Sequence, residues 1–477
     1  TECYLLELFL GVKKMGISVI ISRGSGKKDG YSLFVSMVFI MLVSIYASII
    51  MTAAEGHTKR ATKLILLEQA SSLAEAAVET GAQLIANSNG LLGDSTPIPA
   101  EKFGKGWFAG EIVRIAANEQ QFEIHTTGTV SFAGTQIQRG IFVDRASPPN
   151  VAECAFCTED NNGVYFTYGN VFDGWVHSNT ALSFDSSAAY GGAVFNGEVT
   201  SASSGAYNGD MDWVVFDQGY DFNAPSIDLS YIEYSHLEFA ASDSGTELEG
   251  ATSIAINGDS MFITNDRAGW TNHMVSLTAE HVIHVVDASD GLPGENGIVD
   301  LGAIILDGEL TIVASDDIRV NDHIIYLNDP RDDELPEVSR DYLDPSTDKL
   351  GLISKDDVVI TSSAPNNLEV FGSFLATGDA TASAGDDASV VLDKSVGKFF
   401  VEGYDDLARG DRGILTLFGG VTQEVRGEMG LFSGAVNYSG YKESILFDKR
   451  FSGEPPPFFP PLSWAKVTFK DWAEFDL

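Results

Sequence analysis

Positive charge is scarce in this 477-residue chain: 29 lysines and arginines stand against 68 aspartates and glutamates, a formal net charge of −39. Neutralising a phosphate backbone takes clustered Lys and Arg, so nucleic acid is set aside as a partner. So acidic an exterior faces salt, divalent cations or repelling neighbours, and it says nothing about fold. Cysteine is also scarce, with Cys3 and a CxxC formed by Cys154 and Cys157. A zinc site normally needs a second pair, or histidines at set spacing, and neither is present. A redox pair would sit in a thioredoxin-like βαβ context, which is missing too. In a compartment where disulfides persist, Cys154 and Cys157 are expected to close a small bridged loop.

Catalytic signatures are equally thin. His281 and His284 form an HxxH, but zincin chemistry needs HExxH on a helix, and residues three apart on a strand face opposite sides. Ser260, in "NGDSM", lacks the strand–elbow–helix context of a nucleophile. The adjacent pairs Asp316–Asp317 and Asp356–Asp357 are expected to point to opposite faces, whereas a glycosidase pair must converge across a cleft. The glycine-aspartate nonapeptide that binds calcium is absent, so the Asp-rich turns are expected as solvated corners. His125 has no partner constellation and is expected to be structural. No catalytic residue, metal site or cofactor is therefore expected. The best enzymatic rival is a β-helix polysaccharide lyase, for which Arg319 and Lys355 are weak candidates as the basic residue.

What the sequence does have is one long apolar run, Tyr31 to Ala54, free of charge. At about 1.5 Å per residue it makes a helix of roughly 36 Å, enough to cross a hydrocarbon core of about 30 Å. A secretory signal would have a shorter apolar region and a small-residue cleavage site. Lys13, Lys14, Arg23, Lys27 and Lys28 precede the run, with only Asp29 against them from residue 13 onward, which places the N-terminal side in the cytoplasm by the positive-inside rule. Beyond it, Leu66, Ala70, Leu73, Ala77 and Leu84 recur at helical spacing among Glu68, Glu75 and Glu79. The two patterns predict a single helix over 31–88, ending at "NSNGLLGDSTP".

Residues 105 to 147 alternate apolar and polar positions, as in "GWFAGEIVRIAANEQQFEIHTTGTVSFAGTQIQRGIFVDR", and predict an antiparallel meander packed on the helix. "ASPPNVAECAFCTED" then marks a boundary near residue 150. From about 165 onward, short β-branched segments alternate with Gly, Asn, Asp and Ser. "ASDDIRV" (314–320) and "SKDDVVI" (354–360) echo each other, which suits a parallel β-helix whose coils bury apolar faces against one another. A β-sandwich is the competing architecture. The tail "SGEPPPFFPPLSWAKVTFKDWAEFDL" is expected as an extended strap laying aromatics over the last coil, because an open solenoid end exposes core and strand edges.

The segment from Met15, "MGISVIISRGSGKKDGYSLFVSMVFIM", resembles the type IV prepilin class: a short basic leader, a glycine at the cytoplasmic edge, then an apolar helix. The resemblance implies cleavage by a prepilin peptidase after Gly30 and methylation of the new terminus at Tyr31. Met15 is the expected true start, and Cys3 would be lost with the leader. "LAEAAVETGAQLI" is similar to the helix of the PilX-like minor pilin group, and "TTGTV" with "QIQRGIFV" to the strand pair that follows it. Where major pilins carry a glutamate this chain has Val35, which implies a minor or accessory subunit rather than a repeating one.

"VFDGWVHSNTALSF", "LDGELTIVASDDIRVNDHIIY", "LGLISKDDVVI", "GILTLFGGVTQEVRG" and "YKESILFDKRFSGEPPPFFP" resemble, in that order, landmarks of the bacterial DUF4900-type domain. This resemblance implies a β-helical ectodomain linked to pilus or surface assembly, with no established activity. "NDPRDDELPEVSRDYLDPSTDK" departs from a regular coil and is expected as a charged surface loop.

The expected organisation is mainly β with a long N-terminal α-helix. It comprises a cytoplasmic leader (1–30), a membrane and amphipathic helix (31–88), a small antiparallel region (89–150), an acidic right-handed parallel β-helix (151–440) and a Pro/aromatic cap (441–477). The expected role is that of a non-enzymatic pilin-like accessory subunit anchored in the inner membrane, its ectodomain outside the cytoplasm and at the cell surface or in a filament after assembly. Its expected partners are other pilin-like subunits, met through Val35, Ser36, Ser44, Ala47 and Ser48, the prepilin peptidase, and a surface or polysaccharide. The alternative is a membrane-anchored carbohydrate-binding adhesin, which would show an exposed aromatic row along the coils, or the lyase.

Overall fold

The computed structural model describes residues 29–88, 92–115, 121–132, 134–147, 150–229, 232, 234–243, 245–277, 282–288, 296–331, 346–378, 396–462 and 467–476. The expected leader, 1–30, lies almost wholly outside them. The chain divides into two compact units, Thr1–Gln69 and Ala70–Leu477. Helix α1, Asp29–Asn87, supplies the described part of the first unit and the opening of the second.

Within the second unit, residues 70–87 lie on an antiparallel sheet. Ala70, Leu73, Ala74, Ala77, Val78 and Ile85 are buried, against a sheet face that includes Ile98, Phe108, Ile112, Ile124 and Ile141. The stripe follows the expected one except at its end, where Ile85 rather than Leu84 is buried. Gly128 permits the close approach: a Cβ there would overlap the Ala70 carbonyl and the Ala74 nitrogen. The Thr126 hydroxyl donates to the Ala74 carbonyl at 3.0 Å. Strands Ser95–Phe103, Gly106–Arg114, Phe122–Phe132 and Thr135–Ser147 form the expected meander. A fifth strand, Thr468–Asp476, joins it from the C-terminus, antiparallel to Thr135–Ser147.

The larger part is a parallel β-solenoid with strand columns on three faces. In strand Glu309–Ala314, Leu310, Ile312 and Ala314 point into the main core, while Val313 belongs to a second apolar cluster outside the coil. This is the period-two alternation of a strand covered on both sides. The echo between 314–320 and 354–360 is a stacking offset of 40 residues: Ala314 pairs with Ser354 and Ile318 with Val358. In the first coils the ladder is aromatic. Phe172 stacks on Phe195 at 5.2 Å and Phe195 on Phe216 at 5.3 Å, between ring centroids.

The coils do not stack in chain order. Strand Phe156–Asp160 pairs on one side with Val176–Ser178 of the next coil, and on the other with Asp411–Val425 of the last. Strand Val171–Asp173 likewise pairs with Val436–Leu446. The chain therefore enters mid-solenoid, winds outward to residue 222, and restarts at Thr246–Glu249 at the far end. Between these points it crosses back over the flank. The Leu229 amide donates to Glu159, the Tyr234 hydroxyl meets Thr377, and Glu238 meets Lys355. Helix α2, Ser235–Asp243, completes the crossing.

The C-terminal segment also departs from an end cap. Residues up to 446 belong to a solenoid strand, 447–462 form a strap on the same flank, and 468–476 join the head sheet. Phe459 packs in the outer cluster with Val313, Ile353 and Leu375, and the Pro457 carbonyl accepts from the Thr311 hydroxyl at 2.5 Å. The exit lies beside the entry, because Asn150 bridges Pro461 and donates to the Phe459 carbonyl. The strap thus covers mid-coil flanks, where parallel strands expose outward apolar residues, rather than an open end.

Candidate functional site

The most distinctive surface is the first half of α1. One helix, Leu33–Asn87, is long and apolar enough to cross a membrane. Leu33, Phe34, Met37, Phe39, Ile40 and Met41 are all exposed. At about 100° per residue, Ser36, Ala47, Ser44 and Ser48 fall within one arc of roughly 120°, whereas Val35 lies about 100° outside it, toward the opposite face of the helix. All five are exposed. Within and just beyond the apolar run, hydroxyls are satisfied inside the helix: Thr52 donates to the Ser48 carbonyl and Thr58 to that of Ala54, each at 2.9 Å. A helix in lipid must meet its polar groups this way. An ion pair, Glu55 with Lys59 at 2.7 Å, comes directly after the run. Gly30 and Tyr31 lie in the first turn of α1.

Cys154 and Cys157 are both buried, with Cα atoms 5.8 Å apart and their sulfurs in disulfide contact, at the entry to the first coil. Cys157 lines a small depression together with Thr158, Glu159, His177, Ile227 and Leu229. Its volume of about 140 Å³ is small beside that of a ligand pocket, typically about 300–1,000 Å³.

The paired aspartates differ from expectation. Asp316–Asp317 and Asp356–Asp357 sit at turns, not on strands, so the pleat does not separate them. The 40-residue offset stacks one turn on the other, and carboxylate oxygens of Asp316, Asp317 and Asp356 come within 4.8 Å of one another. These are not freely solvated corners. Burial, reinforced by the charges of Asp316 and Asp356, pushes Asp317 up to about 7. Burial and the charge of Asp356 push Asp357 up to about 8, although the Lys398 amide donates to it at 2.6 Å.

The groups weighed for catalysis are engaged elsewhere. Arg319 pairs with Asp317 at 3.4 Å, and Lys355 pairs with Glu238 at 2.8 Å while lying over the Tyr234 ring. Ser260 donates to its neighbour Asp259 in a hairpin turn. His125 lies in the head sheet, 3.0 Å from Glu123 and against Phe142. His281 lies outside the described residues. His284 is buried beneath α2, and burial together with the Lys355 charge lowers it to about 4. Arg331 and Asp348 anchor the two ends of the expected charged loop, the first to Asp329 and Glu369, the second to the Gly308 and Asn328 amides. Residues 332–345, its centre, lie outside the described residues.

Two features escaped sequence reasoning. Arg426 is fully buried at the joint between first and last coils, and the outermost coil, 207–222, exposes Tyr207, Trp213 and Tyr220. The first gives no local signal. The second leaves only a compositional trace, the absence of lysine and arginine between Arg145 and Arg267.

No family model matches this chain, and no curated protein matches it. Among solved structures, the crystal structure of the competence-associated pilin ComZ from Thermus thermophilus aligns over 86% of this chain and 98% of that one. The identity is 9% and the TM-score 0.31. A TM-score that low does not establish a common fold.

Proposed function

We propose that this chain is a non-enzymatic, pilin-like accessory subunit, anchored by α1 and displaying its acidic solenoid outside the inner membrane. The observation that carries the reading is the division of labour along one helix. Its apolar half is exposed at Tyr31 and along 33–54, and its amphipathic half seats Ala70 and Ala74 against Gly128 of an antiparallel sheet. An exposed apolar surface of that length is stable in water only if lipid or sister helices cover it. The arc of Ser36, Ser44, Ala47 and Ser48 allows close helix approach, and Val35 leaves no buried charge to be matched. In this reading a prepilin peptidase cuts after Gly30, Tyr31 becomes the methylated terminus, and the Cys154–Cys157 bridge forms in the oxidising compartment. The protein then reaches the cell surface or a filament.

Mass spectrometry of the mature N-terminus tests it. A chain beginning at methylated Tyr31, and cysteine cross-links from Ser44→Cys to neighbouring helices, are expected. An intact leader on membrane-extracted protein removes the pilin pathway and leaves an anchored ectodomain.

A further inference from the structure

The two ends of the solenoid are finished differently. At the end that begins with Thr246–Glu249, strand Thr252–Gly258 continues into the antiparallel strands Ser260–Asn265 and Trp270–Ser276. Met261 and Ile263 of that hairpin are buried in the main core, so this end is covered. The opposite end has no such cover among the described residues. Strands Tyr207–Gly209, Val215–Phe216 and Tyr220–Asp221 pair only inward, with Leu182–Phe184, Val194–Phe195 and Val199–Ser201. Tyr207, Trp213 and Tyr220 are 45%, 52% and 54% exposed.

Tyr207 and Tyr220 are the last layer of the internal aromatic column, and Trp213, on the same coil, donates its backbone amide to the Ser186 hydroxyl. Tyr220 stacks on Phe222 at 4.7 Å and lies 5.0 Å from Phe216, and Tyr207 lies 6.2 Å from Phe222. The two tyrosines rest on Phe216 and Phe222, and all three rings stay about half exposed. Around them Asp210, Asp212, Asp217 and Asp221 are exposed. No lysine or arginine occurs in the chain from residue 146 to 266.

Charge decides which occupants fit. An anionic polymer is repelled, and so is a second copy of this acidic chain docking through the same end. A cation is attracted twice, by the carboxylates and by the aromatic faces. Strand addition by a basic peptide is poorly supported, because the open edges are only two or three residues long, and short edges give few backbone hydrogen bonds. Flat rings at a blunt end suit stacking by sugar rings instead. We propose that the open end of the solenoid, built on Tyr207, Trp213 and Tyr220 with Asp210, Asp212, Asp217 and Asp221, binds an amine-bearing polysaccharide. This deepens the display role proposed above by naming what is bound. The interaction itself needs neither cleavage at Gly30 nor a membrane.

The test is calorimetric titration of the full chain in detergent micelles. The probes are a glucosamine hexamer, an N-acetylglucosamine hexamer, a galacturonate hexamer and tetra-lysine. Expected are micromolar binding of the glucosamine hexamer, at least tenfold weakening by Trp213→Ala or Tyr220→Ala, and similar weakening at 0.5 M salt. Trp472→Ala, an exposed aromatic on the head sheet, is expected to leave binding unchanged. Should an aromatic variant fail to fold, the exposed double variant Asp212→Asn/Asp217→Asn is expected to weaken binding at least threefold. Absence of glucosamine binding by folded protein overturns the proposal, as does equal binding of the galacturonate or N-acetylated hexamer. Tetra-lysine binding as tightly as the glucosamine hexamer reassigns the surface to a basic peptide. Loss of the N-terminal processing result alone leaves this inference standing.

Discussion

Arg426 and Glu443 form an ion pair of 3.2 Å inside the joint between the last coil and the first. The two side chains are 1% and 6% exposed. The guanidinium lies 3.6 Å from the Phe166 ring centroid and 5.3 Å from that of Phe156, and donates to Asn161 and the Val164 carbonyl at 3.1 Å each. Arginine's planar, weakly hydrated head suits such a place, stacked on rings and paired at its edge. The contacts reach across some 260 residues of chain, so one side chain pins the end of the winding to its beginning.

Removing one member of a buried pair leaves the other charge without compensation, at a cost of about 3–5 kcal/mol. Arg426→Ala is expected to lower solenoid stability by that amount in urea titration, and Glu443→Gln by somewhat less. Arg426→Met with Glu443→Leu is expected to recover much of the loss, because an apolar pair removes the desolvation penalty. If the double replacement is as unstable as Arg426→Ala alone, the joint is not held by this pair.

The stacked acidic corner gives a stability that falls with rising pH. Asp317 and Asp357 have folded values of about 7 and about 8, above the ordinary 3.8, because burial and neighbouring carboxylates favour the protonated form. Their contribution is full below about pH 4 and lost as pH climbs through 7 and 8. Between pH 5.5 and 9 the solenoid is expected to lose on the order of 5 kcal/mol, and Asp357→Asn to lose visibly less. Thermal melts of the two proteins across that range check the difference.

His284 acts in the opposite direction. Val282 and His284 face the outer cluster side of their strand, where α2 lies; Glu238, Glu247 and Lys355 are the charged groups near the ring. Its folded value of about 4 lies below the ordinary 6.5, so the unfolded chain takes up a proton first and stability drops as pH falls from 6.5. A loss on the order of 2 kcal/mol between pH 6.5 and 5 is expected in the native chain. His284→Phe is expected to abolish that part of the slope. Parallel slopes for the two proteins would place the acid sensitivity elsewhere.

What was legible in the sequence was local. The apolar run and the stripe of Ala70, Leu73 and Ala77 announced α1, and the repeated Asp–Asp announced two stacked corners 40 residues apart. The order in which coils stack was not legible. Parallel pairing asks only for β-branched residues on both faces, and Phe156 would present the same pattern whether its neighbour were Val176 or Val421. Turn carboxylates were assigned by strand alternation, which does not hold at a corner. Arg426 carries no pattern at all, since its partners Asn161, Val164 and Phe166 are brought to it by the joint alone.

The head tests whether α1 and the sheet form one cooperative unit. Gly128 lies where the helix backbone touches the sheet, and a methyl group there would meet the Ala70 carbonyl, the Ala74 nitrogen and the Leu73 Cβ. Backbone cannot yield as a flexible side chain would, so Gly128→Ala is expected to cost about 2–3 kcal/mol or to lift residues 70–87 off the sheet. Hydrogen exchange separates the two results from a global effect. Amides of 70–87 and 122–143 should exchange at least tenfold faster while those of 310–314 and 349–354 keep their protection, because the interiors of the coils do not include the helix. Uniform acceleration across head and solenoid would instead mean that strand Thr468–Asp476, which pairs with Thr135–Ser147, transmits the loss through the exit strap to the coils.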